Sequence, residues 1–150
     1  MRTITLIVVH CSAVKPDQLS SAAQIDTWHR QRGFHLGIGY HYVIRRNGDI
    51  EPGRPEWMIG AHCQNHNSHS IGVCYEGGLD ARGQPADTRT PEQKAAMRRL
   101  LEELHDLLSL REDNAHVALL IAYAWLPSAL VYACRRVVRG RRARPHSTLQ

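Results

Sequence analysis

The sequence predicts a mixed α/β fold, a central β-sheet flanked by helices. Three observations lead there. Residues 3–9 and 70–75 are β-branched, apolar runs of strand length. Two capping boxes, in which a hydroxyl and a glutamine three residues on can satisfy each other's exposed backbone donors, mark helix starts at Ser21 and Thr90. Beyond Thr90, Met97, Leu100, Leu101, Leu104, Leu107 and Leu108 keep three-and-four spacing, an apolar stripe that must pack on something, and the strands supply the surface. The chain has 150 residues, 43% hydrophobic and 22% charged, so it is long enough for one buried core and is neither a disordered tail nor a coiled coil.

Taken in order, the first strand runs into His10-Cys11-Ser12, which places polar chemistry at a strand end. Ser21 opens a helix with Ile25 and Trp28 on one face, and Gly33 can end it. Residues 40–45 form the next strand. Asn47-Gly48 then predicts a hairpin, because both residues tolerate positive φ, and residues 49–51 begin the return strand. After the strand at 70–75, Gly77-Gly78 closes the run. Residues 78–90 are polar and loop-like, and Pro91 sits at the first position of the second helix.

The last forty residues differ in character. Residues 117–133 carry no charge and lie just before an arginine cluster (Arg135, Arg136, Arg139, Arg141, Arg142, Arg144). Seventeen residues are at the lower limit of a membrane span, and Pro127 interrupts them, so a strand, a loop and a helix is the preferred reading over an anchor. Six of the 19 basic residues belong to this tail, and the other 13 stand against 14 acidic ones. The body is nearly neutral, which argues against nucleic acid as a partner. Four scattered cysteines do not make a disulfide scaffold, and the N-terminus lacks the pattern of a signal peptide. A monomer made in the cytoplasm is the expectation.

Ten histidines is a high count, and His62, His66 and His69 fall within eight residues. Histidine is the commonest zinc ligand, yet no HExxH or paired CxxC is present, so spacing alone does not define a metal site. The ordered motifs carry more. Val9-His10-Cys11-Ser12-Ala13, Trp28-His29, Gly39-Tyr40-His41-Tyr42, Arg46-Asn47-Gly48, Gly53-Arg54, Gly60-Ala61-His62, Asn67, and Ser70-Ile71-Gly72-Val73-Cys74 before Gly77-Gly78 occur in sequence. Together they closely resemble the zinc-dependent N-acetylmuramoyl-L-alanine amidases of the phage-lysozyme type, relatives of the peptidoglycan recognition proteins. The resemblance covers about residues 3–110.

That resemblance implies a mixed sheet flanked by helices, a zinc site in a surface groove, and cleavage of the amide between muramic acid and the L-alanine of the stem peptide. The implied substrate is peptidoglycan or a muropeptide. His10 matches the first zinc ligand and Tyr40 the tyrosine beside the metal. His62 and Asn67 fall where relatives line the peptide groove. The pattern departs after residue 114, dividing the chain into an amidase-like core, 1–114, and a divergent segment, 115–150. There a His-Arg-Asp-Leu-Pro-like segment and Lys-Ala-Cys-Pro are expected. Leu126-Pro127 and Ala133-Cys134 echo them only faintly. Cys134 takes the place of the cysteine ligand, and His116 is the remaining candidate for the third ligand. The expected lysine has no counterpart. Two competing functions follow: a peptidoglycan-binding module impaired in hydrolysis, and a protein tethered to membrane through residues 117–133.

Overall fold

The computed structural model describes residues 2–109 and 118–121. Five strands form one sheet: β1 (Leu6–Cys11), β2 (Tyr42–Ile44), β3 (Ile50–Pro52), β4 (Ser70–Tyr75) and β5 (Ala118–Ile121). Their order is β3-β2-β4-β1-β5. β1 pairs in parallel with both β4 and β5, β4 pairs in parallel with β2, and only β3 is antiparallel. Among the described residues two α-helices, α1 (Ala22–Gln31) and α2 (Pro91–Ser109), complete the mixed α/β architecture predicted from sequence.

Side chains alternate across a strand, so each strand feeds both faces of the sheet. Ile7, Val9, Ile44, Ile71, Val73 and Tyr75 pack with Ala96, Met97, Leu100, Leu104 and Leu108 of α2. The intervening residues Val43 and Cys74 face the other way and pack with Ile25 and Trp28 of α1. By the same alternation His10 lies on the α1 face, in register with Cys74, which is itself in register with Val43. His10 therefore sits near the C-terminal end of a central parallel strand, where open α/β sheets place their ligands.

Both capping boxes form at least in part. Thr90 Oγ1 accepts from Gln93 N at 3.0 Å, and Gln93 Oε1 accepts from Thr90 N at 3.1 Å. At α1, Ser21 Oγ accepts from Gln24 N at 3.1 Å, while Glu51 from β3 takes the Ala22 N–H at 2.6 Å. The hairpin forms, with a difference: only Gly48 adopts positive φ (+88°). Asn47 instead closes the turn through its side chain, accepting from Asp49 N at 3.1 Å. The leucine stripe is narrower than predicted. Leu107, near the end of the helix, is 58% exposed. Leu101 is only partly buried at the edge of the same cluster.

The apolar C-terminal segment contributes β5, so its first residues belong to the sheet. Its remainder, the arginine tail, His116 and Cys134 lie outside the described residues. Among the described residues no helix is long and apolar enough to cross a membrane.

Candidate active site

His10 is 2% exposed. Its Nε2 lies 3.1 Å from His62 Nδ1, and the two rings meet edge-on at 5.1 Å. Its Nδ1 is buried and has no hydrogen-bond partner among the described residues. An unpaired polar atom in a protein interior is costly and calls for an explanation. Burial lowers the His10 pKa to about 4, so the ring is neutral at physiological pH.

His62 reaches His10 because two glycines make room for it. A Cβ at Gly72 would lie 2.5 Å from the His62 ring, and one at Gly60 equally close. Any side chain at Gly72 would fill the place on the α1 face of β4 that the imidazole occupies. Burial lowers the His62 pKa to about 3, with the neighbouring His10 ring adding to the effect. The loop that delivers His62 is held by Asn67, whose Oδ1 accepts from the backbone N–H groups of both His62 and Cys63 at 2.9 Å.

The Tyr40 ring lies 5.2 Å from His10, 6.3 Å from His62 and 5.4 Å from His29. Burial, reinforced by the thiols of Cys74 and Cys11, raises its pKa well above the ordinary phenol value. Tyr40 is thus a protonated phenol, able to donate. Its backbone is fixed from two sides. His29 Nδ1 accepts from Gly39 N at 2.9 Å, and His41 N donates to Gly72 O at 2.8 Å. An open depression of about 370 Å³ flanks the end of β1, between Ser12, Ala13 and Val14 and the α1 residues Trp28 and Gln31, with Arg32 just beyond the helix.

The structure brings three sequence-predicted residues together: His10, Tyr40 and His62. Asn67 supports the His62 loop by the bonds just described. The predicted ligands His116 and Cys134 lie outside the described residues, and among the described residues no three His, Cys, Asp or Glu side chains converge as a metal cage. Sequence reasoning gave no role to His29, His41, Ser70 or Gly72. Gly72 had a readable signal: two residues before Cys74 on one strand, it had to share the face of His10.

The fold agrees with comparisons to known proteins. The model of the N-acetylmuramoyl-L-alanine amidase family matches residues 1–147. The chain belongs to that family. The match extends past residue 110, where the motifs legible by eye stop. Among similar proteins are the endolysin of Klebsiella phage KP32, 46% identical over 98 residues, and that of Escherichia phage T7, 44% identical over 98 residues. Each of these matches covers 65% of this chain and 64% of the endolysin, so the chain spans a little under two thirds of these relatives. Among solved structures, the amidase LysC from Clostridium intestinale is 29% identical with a TM-score of 0.63, covering 79% of this chain and 70% of that one. Bumblebee PGRP-SA, at 22% identity and a TM-score of 0.63 over 79% of this chain and 70% of its own, shares the fold.

Proposed function

We propose that this amidase-family chain hydrolyses the amide between N-acetylmuramic acid and the L-alanine of the peptidoglycan stem peptide, using zinc held in part by His10. The observation that carries this reading is the buried Nδ1 of His10, without a partner among the described residues, beside the protonated phenol of Tyr40. A neutral imidazole nitrogen with no proton donor aimed at it fits a zinc ligand in its donor chemistry. His116 and Cys134 are the residues proposed to complete the set. When bound, zinc supplies Lewis acidity, lowering the pKa of water from 15.7 to about 7 and polarising a carbonyl.

The chain's own groups do the rest. Burial keeps His10 neutral, so its lone pair is not lost to a proton at physiological pH. Tyr40 retains its proton and donates to the oxygen on which negative charge develops, a contact typically worth about 10²–10³ in rate. The depression beside β1, walled by Ser12, Ala13 and Val14 two to four residues beyond His10 and by Gln31 and Arg32, is the place assigned to the stem peptide. The expected lysine is missing from the C-terminal segment, so turnover is expected to be slow for the family.

The decisive experiment measures zinc stoichiometry and release of stem peptide from purified muropeptides on the same preparation. Wild type should carry one zinc and release peptide, and His10→Ala should lose both while keeping its circular dichroism. Full zinc retention in His10→Ala removes it from the ligand set. Zinc-free wild type that binds muropeptide without cleaving it supports a recognition module instead.

A further inference from the structure

The hydrogen bonds around His62 can be read in only one direction. Ser70, the first residue of β4, is fully buried. Its Oγ lies 2.7 Å from the His66 carbonyl oxygen and 3.3 Å from His62 Nε2. A carbonyl has no proton to give, so the single hydroxyl proton of Ser70 goes to His66. Toward His62 the serine can then only accept, which places a proton on His62 Nε2. A neutral imidazole has one N–H, so His62 Nδ1 carries a lone pair. Facing that lone pair at 3.1 Å is His10 Nε2, which must therefore be the donor. The proton of His10 is thereby assigned to Nε2, and its Nδ1 is left bare, the same atom that lacks a partner among the described residues.

We propose that Ser70 is a positioning residue, which through His62 holds His10 in the tautomer whose Nδ1 lone pair faces the metal site. The proposal rests on the reading of His10 as a zinc ligand only for its consequence. The chain of hydrogen bonds exists without metal. Residues that bind metal through histidine usually fix the ring through a carboxylate or a backbone carbonyl. Here a second imidazole is interposed, and the carbonyl of His66 sets the direction two bonds away. The reverse tautomer would put an N–H at the buried Nδ1 with no acceptor among the described residues, and would set two lone pairs against each other between His10 and His62. Ser70 is well placed to hold the order. Its backbone is pinned in register with Leu6, and its carbonyl accepts from Arg2 Nη1 at 2.9 Å.

The test uses the full chain, first without metal. Long-range ¹⁵N–¹H correlation spectra of the imidazoles at neutral pH report which nitrogen bears the proton. Wild type should show His10 and His62 both protonated on Nε2. Ser70→Ala should convert both into mixtures of tautomers, and Ser70→Thr, which restores a hydroxyl, should return the single form. Zinc affinity, measured by competition with a chromophoric chelator, should fall about 10–100-fold in Ser70→Ala and recover in Ser70→Thr. A wild-type spectrum with the His10 proton on Nδ1 overturns the proposal whatever the variants do, as does an unchanged spectrum in a folded Ser70→Ala. If the wild-type tautomers are as stated but zinc does not bind, the reading of His10 as a ligand fails while the assignment to Ser70 holds.

Discussion

His41 uses its two nitrogens for two separate bonds, and the consequence is a pH dependence. Its Nδ1 accepts from Gly72 N at 2.9 Å, so the proton sits on Nε2 and is given to the Met58 carbonyl at 3.1 Å; Arg2 Nη2, 2.9 Å from the same Nε2, finds no acceptor there. Burial is the main cause that lowers the His41 pKa to about 4 from 6.5, and the charge of Arg2 adds to the lowering. A histidine whose folded pKa is depressed takes up its proton more readily when unfolded, so its contribution is fully present above pH 6.5 and is lost as pH falls toward 4. Urea unfolding measured between pH 7 and 4.5 should show stability dropping across that window, with a shallower slope in His41→Asn, which keeps an acceptor for Gly72 but does not titrate. An identical slope in the variant would remove His41 from the acid response. At this scale the sequence was partly legible. His10, Tyr40 and His62 stand out because each lies in a motif that carries the family resemblance. The roles of Ser70 and His41 were hidden, because they depend on which nitrogen faces which oxygen, and a string of letters does not carry that.

Helix α2 shows how far periodicity reaches. Its start was readable to the residue, since Thr90, Pro91 and Gln93 make a complete local signal. Its buried face was readable only at the centre: Met97, Leu100, Leu104 and Leu108 are at most 5% exposed, whereas Leu107 is outside. Leu104→Ala should therefore cost about 2–5 kcal/mol in denaturant unfolding, and Leu107→Ala less than about 0.5 kcal/mol. Similar losses from the two would mean that the helix is rotated from the orientation described. Gln93 carries a second function that its capping position conceals. Its Nε2 donates to Ile44 O at 3.1 Å and to Glu76 O at 2.9 Å, joining the helix start to the ends of β2 and β4. Glutamate is ordinarily at least as good as glutamine at that capping position. Here Gln93→Glu should destabilise by about 1–3 kcal/mol, since it strands two buried carbonyls and sets a carboxylate against them. A neutral or stabilising result would show that the cap alone matters.

Across the whole molecule, Glu76 ties the segments that the sheet does not. It is 1% exposed. Its carboxylate accepts from Ser20 N at 2.7 Å, Arg45 Nε at 3.0 Å and Arg46 N at 3.1 Å, joining the entry to α1 with the end of β2. Burial alone would push its pKa up, but these donors outweigh it and the net shift is downward. The stabilisation is therefore present above the ordinary carboxylate range and disappears as pH falls through the lowered folded value. Glu76→Gln should cost about 3 kcal/mol at pH 7, the low end for breaking a buried pair because Arg45 keeps some exposure, and the cost should shrink as pH falls through the lowered folded value. A pH-independent loss would point to packing instead. The order of the strands has one more consequence, which concerns time. The strand that carries His10 is made first, but its two neighbours begin at residues 70 and 118. Parallel pairings of such separation close slowly, because a long loop must be ordered before any contact rewards it. On a ribosome, β1 emerges as an apolar strand with two unpaired edges and waits for most of the chain. The strand that carries His10 is thus the one that waits longest for its partners, and the one longest open to association with other chains.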